Sequence, residues 1–310
     1  MNPWSPEVAD FLATADKVAT GFADTSDSPS SIRGTLEETG LLDLASEIVE
    51  ESDELVWLAH TVRVAAQSAP SLAFALAGRY AADAVGRECG TNGSTFALSF
   101  DGAAAVASEA LAPERAVVWD AASNSILVAP WSSVSIDASQ PRSGLHRAEL
   151  VSVSMPTDVT RSNANPSEVI ARWDLLTGAA LVGLARRAVQ ETQSYVMGRS
   201  QFGVPIGSFT GLRAIVAGMD LAVDEAEALL IRAVDGGTSS ATVSATAGRV
   251  AVAVCIDAIQ AHGGYGYIDE YPLAGLLRDA ISIQARSGGR RFHIARLAQR
   301  GLGPQGSVLP

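Results

Sequence analysis

Apolar residues recur at helical spacing through the first ninety positions, and the pattern then changes twice. Glu7, Phe11 and Leu12 open a first amphipathic segment, and 31–38 leads into a second helix that Gly40 ends. Leu55, Leu58, Val62 and Ala65 mark a third helix over about 50–68, and Pro70 opens a fourth through Leu72, Leu76 and Tyr80. The acidic run Glu47, Glu50, Glu51, Asp53 and Glu54 reads as a solvated face. Near Gly90 short β-type runs take over, at 95–100, 116–119, 125–128, 134–136 and 149–155, separated by Pro, Gly, Ser, Asn and Asp. A linker over 156–164 precedes a strong helix start. Asn165 can cap, Pro166 suits the first helical position, and Glu168 stands three residues after the cap.

That helix runs to about 199, with Leu175, Leu176, Ala179, Val182, Ala185 and Val189 on its core face. Gly203, Pro205 and Gly207 break the chain. A second long helix covers about 209–234 and stops at Gly236 and Gly237. A third covers about 240–261 and stops at Gly263 and Gly264, and a shorter helical region follows Pro272 toward Arg300. Long helices joined by short glycine-rich turns fold as an antiparallel bundle. The predicted class is α+β, mostly α: an N-terminal helical domain (1–93), a reduced β domain (94–164) and a C-terminal antiparallel four-helix bundle (165–310).

Composition narrows the function. The 310 residues are 47% apolar, enough for a full core. A net charge of −12, with lysine only at Lys17, argues against binding a nucleic-acid backbone. Cys89 and Cys255 are too few for a disulfide framework or a metal cluster and read as buried small residues. The first twenty residues carry acids and lack an apolar leader core, and no run reaches about 18 uninterrupted apolar residues. A soluble cytoplasmic protein is expected.

Three segments carry chemistry. Arg199-Ser200-Gln201-Phe202-Gly203-Val204-Pro205-Ile206-Gly207 joins the first two long helices. Gln260-Ala261-His262-Gly263-Gly264-Tyr265-Gly266-Tyr267 closes the third. Glu270-Tyr271-Pro272 is followed by Arg278-Asp279-Ala280. In this order and spacing, residues 166 to 300 resemble the C-terminal domain of the FAD-dependent acyl-CoA dehydrogenases. In that family FAD lies between subunits, and the bundle of one subunit reaches the diphosphate and adenosine end of its neighbour's cofactor. The resemblance assigns that role to Arg199, Phe202, Gln260 and Gly264, with Gly263 beside them. The chemistry agrees. An arginine fork pairs with a diphosphate, a phenylalanine packs on adenine or ribose, and a glutamine bonds phosphate or ribose oxygens. A Gly-Gly pair lets backbone approach a ligand closely. Each residue also has a plainer reading: Arg199 as a helix-end charge, Phe202 as core, the glycines as a C-cap, and His262 as structural.

The family reaction needs a carboxylate to take the α proton of an acyl thioester. The resemblance implies a glutamate shortly after Arg278-Asp279-Ala280, and Ser287 stands in its place. Asp174, with Glu168 nearby, is the candidate for a base relocated to the first bundle helix, although Glu168 is already explained as a capping residue. The family's Thr-Glu-Pro-type flavin loop is missing between Gly90 and Asn165, and the chain is shorter than the family's usual length. The diphosphate edge is thus kept where the catalytic half is reduced. This asymmetry resembles the short-type subunit of actinobacterial α2β2 heterotetramers acting on steroid side-chain CoA thioesters. It implies a full-length acyl-CoA dehydrogenase subunit as partner, sharing FAD with this chain. Two other readings stand beside it: a self-sufficient homo-oligomeric dehydrogenase or oxidase using Asp174, and a scaffold that has lost flavin.

Overall fold

The computed structural model describes residues 6–24, 29–44, 51–89, 93–100, 102–138 and 143–303. Its N-terminal helices are α1 (Pro6–Asp24), α2 (Pro29–Glu38), α3 (Glu51–Ser68) and α4 (Pro70–Cys89). Seven strands follow: β1 (Ser94–Ser99), β2 (Ala105–Ser108), β3 (Arg115–Asp120), β4 (Ser125–Pro130), β5 (Ser135–Asp137), β6 (Leu150–Ser154) and β7 (Thr160–Arg161). The bundle consists of α5 (Pro166–Gly198), α6 (Thr210–Val234), α7 (Ser240–His262), α8 (Leu273–Arg286) and α9 (Gly289–Leu302). A small hairpin, β8 (Ser200–Gln201) with β9 (Val204–Pro205), lies between α5 and α6. This is the expected mostly helical α+β layout.

The β region is two small sheets face to face, ordered β1-β3-β4-β7 and β2-β6-β5. The β1–β3 pair is parallel and the other pairs are antiparallel. Alternation along the strands explains the layering. Ala97, Ala116 and Val118 face Ala105, Ala107, Val151 and Val153 of the second sheet. Phe96, Leu98, Val117 and Trp119 point the other way, into the helical core. Two strands of the β region, and the β8–β9 hairpin, went unpredicted. β2 is four residues of Ala, Val and Ser, with little β preference of its own, and it exists because it pairs with β6. β7 lies inside the expected linker and pairs with β4.

Helix α5 is the spine, 33 residues or about 50 Å long. The Asn165 carboxamide oxygen accepts from Ser167 N at 3.1 Å, and its amide donates to Glu168 at 2.9 Å, so the predicted cap is formed. All six predicted core residues of α5 are buried. Gly183 lets α3 cross closely, since a Cβ there would collide with the Arg63 carbonyl oxygen. Helix α7 is long and apolar enough to cross a bilayer by composition, yet 61% of its apolar window is buried, because it packs at the centre of the bundle. Cys255 is buried on α7. The Cys89 side chain lies outside the described ones.

Two expectations need correction. The helical region after Pro272 is two helices, because the chain turns at Gly288 with φ at +105°. The acidic run is not wholly a solvated face. Glu47, Glu50 and the side chains of Glu51 and Asp53 lie outside the described residues. Glu54, however, is 1% exposed and accepts from Arg172 of α5 at 2.7 Å. The pair ties α3 to the spine. Glu54→Ala would leave the Arg172 charge without this partner, with an expected loss of about 3–5 kcal/mol in urea unfolding.

Candidate functional site

The first motif forms an exposed hairpin at the end of α5. Arg199 caps the helix, its N–H donating to Tyr195 O at 2.9 Å, and Ile206 N donates back to Arg199 O at 2.8 Å. Phe202 and Gly203 form the turn with φ of +53° and +81°. Two positive φ values mark a type I′ turn, which favours Asn-Gly. Phenylalanine is strained there by about 1 kcal/mol or more. The Phe202 ring is also 92% exposed, meeting only Phe209 edge-on at 6.4 Å. The plain reading of Phe202 as core therefore fails.

The second motif ends α7. Gln260 is exposed on the last turn, and Gly263 N donates to Gln260 O. Gly263 adopts φ +60°, ψ −137°, a conformation that excludes side-chain-bearing residues. Gly264 has no such constraint, and a Cβ there would meet nothing within 4 Å. Nothing within the chain demands its glycine. The Arg199 guanidinium lies 5.3 Å above the Tyr265 ring, so the first two motifs meet. Tyr271 of the third motif joins them, lining with Arg199, Tyr195, Gly198, Ser194 and Glu191 a groove of about 300 Å³. His262 is buried. Asp279, unassigned by sequence, accepts from Leu145 N at 2.6 Å and pins the β region to α8.

The position expected for the base is different. Ser287 is 1% exposed and its hydroxyl donates to Gln284 O at 3.0 Å. The Phe292 ring lies against Gly288, where a Cβ would collide with it. Its centroid is 5.4 Å from Phe100 and 5.6 Å from Trp119. These three rings fill the seam between α9 and the β region.

Asp174 lies near this seam but has no exposure at all. Its carboxylate is bound by Arg296 of α9 and accepts from the Ser240 hydroxyl at 3.1 Å. The His293 ring stands 3.6 Å away. Burial pushes the Asp174 carboxyl up to about 6, opposed by Arg296 and Ser240. Burial, aided by Arg296, holds His293 down at about 4. The carboxylate is thus an internal ion-pair member without access to solvent. Sequence reading did not find Arg296 and His293. The available signal was an aspartate inside the core stripe of α5, which demands a cation from elsewhere.

Residues 172–302 match the family model of the acyl-CoA dehydrogenase C-terminal domain. The stretch contains all three motifs, Asp174 and Ser287. Over 117 residues the chain is 35% identical to the short-chain-specific acyl-CoA dehydrogenase of Clostridium acetobutylicum, covering 36% of this chain and 31% of that protein. It is 35% identical over 134 residues to the 3-sulfinopropanoyl-CoA desulfinase of Paraburkholderia xenovorans, covering 41% and 34% respectively. The match therefore spans about a third of the length of these curated relatives. The fold agrees over the whole chain. A glutaryl-CoA dehydrogenase in complex with glutaryl-CoA superposes with a TM-score of 0.76 at 18% identity, covering 99% of each chain. Butyryl-CoA dehydrogenase from Megasphaera elsdenii gives 0.73 at 16%, covering 94% of this chain and 98% of that one. The architecture is the acyl-CoA dehydrogenase fold.

Phe202→Asn should raise the stability of the chain by about 1 kcal/mol in urea unfolding, because it relieves the positive-φ strain and removes a ring that is already solvated. Asp174 has a folded pKa above its unfolded value. Between pH of about 4 and 6 the native state therefore binds a proton that the unfolded chain does not. Stability from this group is present at low pH and declines as pH rises to about 6, by on the order of 2–3 kcal/mol. His293, held down at about 4, contributes the opposite slope over the same range, so Asp174→Asn should make stability rise more steeply with pH between about 4 and 6 in urea unfolding.

Proposed function

We propose that this chain is a subunit of a heteromeric FAD-dependent acyl-CoA dehydrogenase, in which a full-length partner chain holds the flavin ring, the acyl-CoA and the catalytic carboxylate. This chain completes the partner's cofactor site. The observation that carries the reading is an asymmetry. At one end of the bundle Arg199, Phe202, Gln260, Gly263 and Gly264 are exposed, with a strained Phe202 at 92% exposure. At the other, Ser287 is buried and Phe292, Trp119 and Phe100 occupy the seam.

The exposed edge fits the diphosphate and adenosine end of FAD. Arg199 offers a charged fork, Gln260 an amide, and Gly264 a backbone free of any side chain within the chain. Phe202 would bury its ring against the adenosine. The seam beside Ser287 does not fit the ring end, since Phe292, Trp119 and Phe100 fill it and the nearby Asp174 carboxylate is buried against Arg296. Bound FAD supplies the hydride acceptor for dehydrogenation between Cα and Cβ of the thioester. The residues of this chain bind and orient the cofactor and take no proton. We further propose a cytoplasmic α2β2 assembly and a bulky acyl-CoA, such as a steroid side-chain thioester, bound mainly by the partner. Support for these finer points is the resemblance to short-type subunits.

Expressed alone, the chain should be colourless. Co-expressed with a full-length acyl-CoA dehydrogenase chain from a neighbouring gene, it should form a yellow heteromer that oxidises acyl-CoA, and Arg199→Ala should lower its FAD content. Yellow, active protein from this chain alone would sink the proposal. A heteromer that retains all its FAD after Arg199→Ala would leave a scaffold role in its place.

A further inference from the structure

Three rings are stacked behind the exposed edge. Tyr195, near the end of α5, lies face to face with His262 at the end of α7, with centroids 4.0 Å apart and planes 19° from parallel. Tyr271 meets both edge-on, 5.4 Å from Tyr195 and 5.3 Å from His262. Tyr271 also stands edge-on to Tyr265 at 6.2 Å, and Tyr265 is the ring beneath the Arg199 guanidinium.

His262 is 3% exposed, and its Nδ1 is 2.8 Å from the Ala258 carbonyl. A carbonyl only accepts, so Nδ1 carries the hydrogen and Nε2 presents a lone pair, which is buried with no donor among the described residues. Ring stacking, and no polar bond at Nε2, holds the far side of the imidazole. Tyr195 contacts both halves of the edge. Its carbonyl accepts from Arg199 N at 2.9 Å, and its hydroxyl donates at 3.4 Å to the carbonyl of His262, the residue before Gly263. Arg199 and Gly263 belong to different helices, and the contact between Tyr195 and His262 spans 67 residues of sequence.

We infer that Tyr195, His262 and Tyr271 are positioning residues, which hold Arg199 and the glycine turn in one register so that a diphosphate meets a preformed site. The inference rests on the proposed nucleotide role of that edge. An arginine fork and a backbone turn bind one anion together only if their spacing is set beforehand; otherwise binding has to supply the ordering. Offset and edge-on ring pairs are suited to this, because they resist sliding and tilting more than aliphatic contacts do.

The test titrates FAD into the apo-assembly, following quenching of flavin fluorescence, with particle mass followed by light scattering. Tyr195→Leu should weaken FAD binding by about tenfold at unchanged mass, and Tyr195→Phe, which keeps the stack, should stay within about threefold of the parent. Arg199→Ala combined with Tyr195→Leu should weaken binding no more than the larger single change, since both act through the same group. Tyr271→Leu, on the loop after α7, should reproduce the loss and serves if Tyr195→Leu does not fold. If Arg199→Ala alone leaves FAD binding unchanged, the nucleotide role of the edge falls. If Arg199→Ala weakens FAD but Tyr195→Leu or Tyr271→Leu does not, or if the two losses add in full, the positioning role is overturned.

Discussion

A carboxylate buried in the first third of the longest described helix constrains much of this molecule. Asp174 has no solvent exposure, and an isolated charge there would be untenable. Arg296 resolves the problem from α9, and Ser240 adds a hydroxyl from α7. Three helices are joined in this way at one point. Because α9 is anchored on that side, Phe292 is directed at Trp119 and Phe100 of the β region. Ser287 is closed in beneath the turn that leads into α9. The same ion pair that joins the three helices therefore accompanies a filled seam beside Ser287.

The opposite end of the bundle has the reverse character. Its residues lie against a cluster of rings and are held by backbone hydrogen bonds, yet they carry features that the chain alone does not repay. Phe202 is held at positive φ and solvated, and Gly264 sits in open space. Local strain and exposed apolar area together are expected where a ligand or neighbouring subunit completes the structure. On the proposed reading, these two ends divide the acyl-CoA dehydrogenase fold into a cofactor-binding edge and a closed seam.

Much of this was legible in the chain. Helical spacing predicted the starts of α1 to α4 and both ends of α5 to α7 to within a few residues, because glycine, proline and capping residues mark helix ends and those signals are local. The three motifs were legible for a related reason. Turns that require glycine, and a phenylalanine in a Phe-Gly turn, are unusual enough to be seen without a structure. The split between α8 and α9 was less visible, because Gly288 and Gly289 interrupt a pattern that is helical on both sides. Strand β2 was invisible, because alanine-rich segments carry no β preference until a partner strand supplies the hydrogen bonds.

The sequence by itself determined the helices up to α7, their order, the family resemblance and the serine at position 287. Tertiary structure decided which polar residues are inside. Glu54 looked like part of a solvated run and is an internal partner of Arg172, 118 residues away. Asp174 looked available as a base and is taken by Arg296, 122 residues away. Phe202 could have been core and is almost fully exposed. Burial of a charge or a ring depends on which distant segment packs over it, and no local periodicity encodes that.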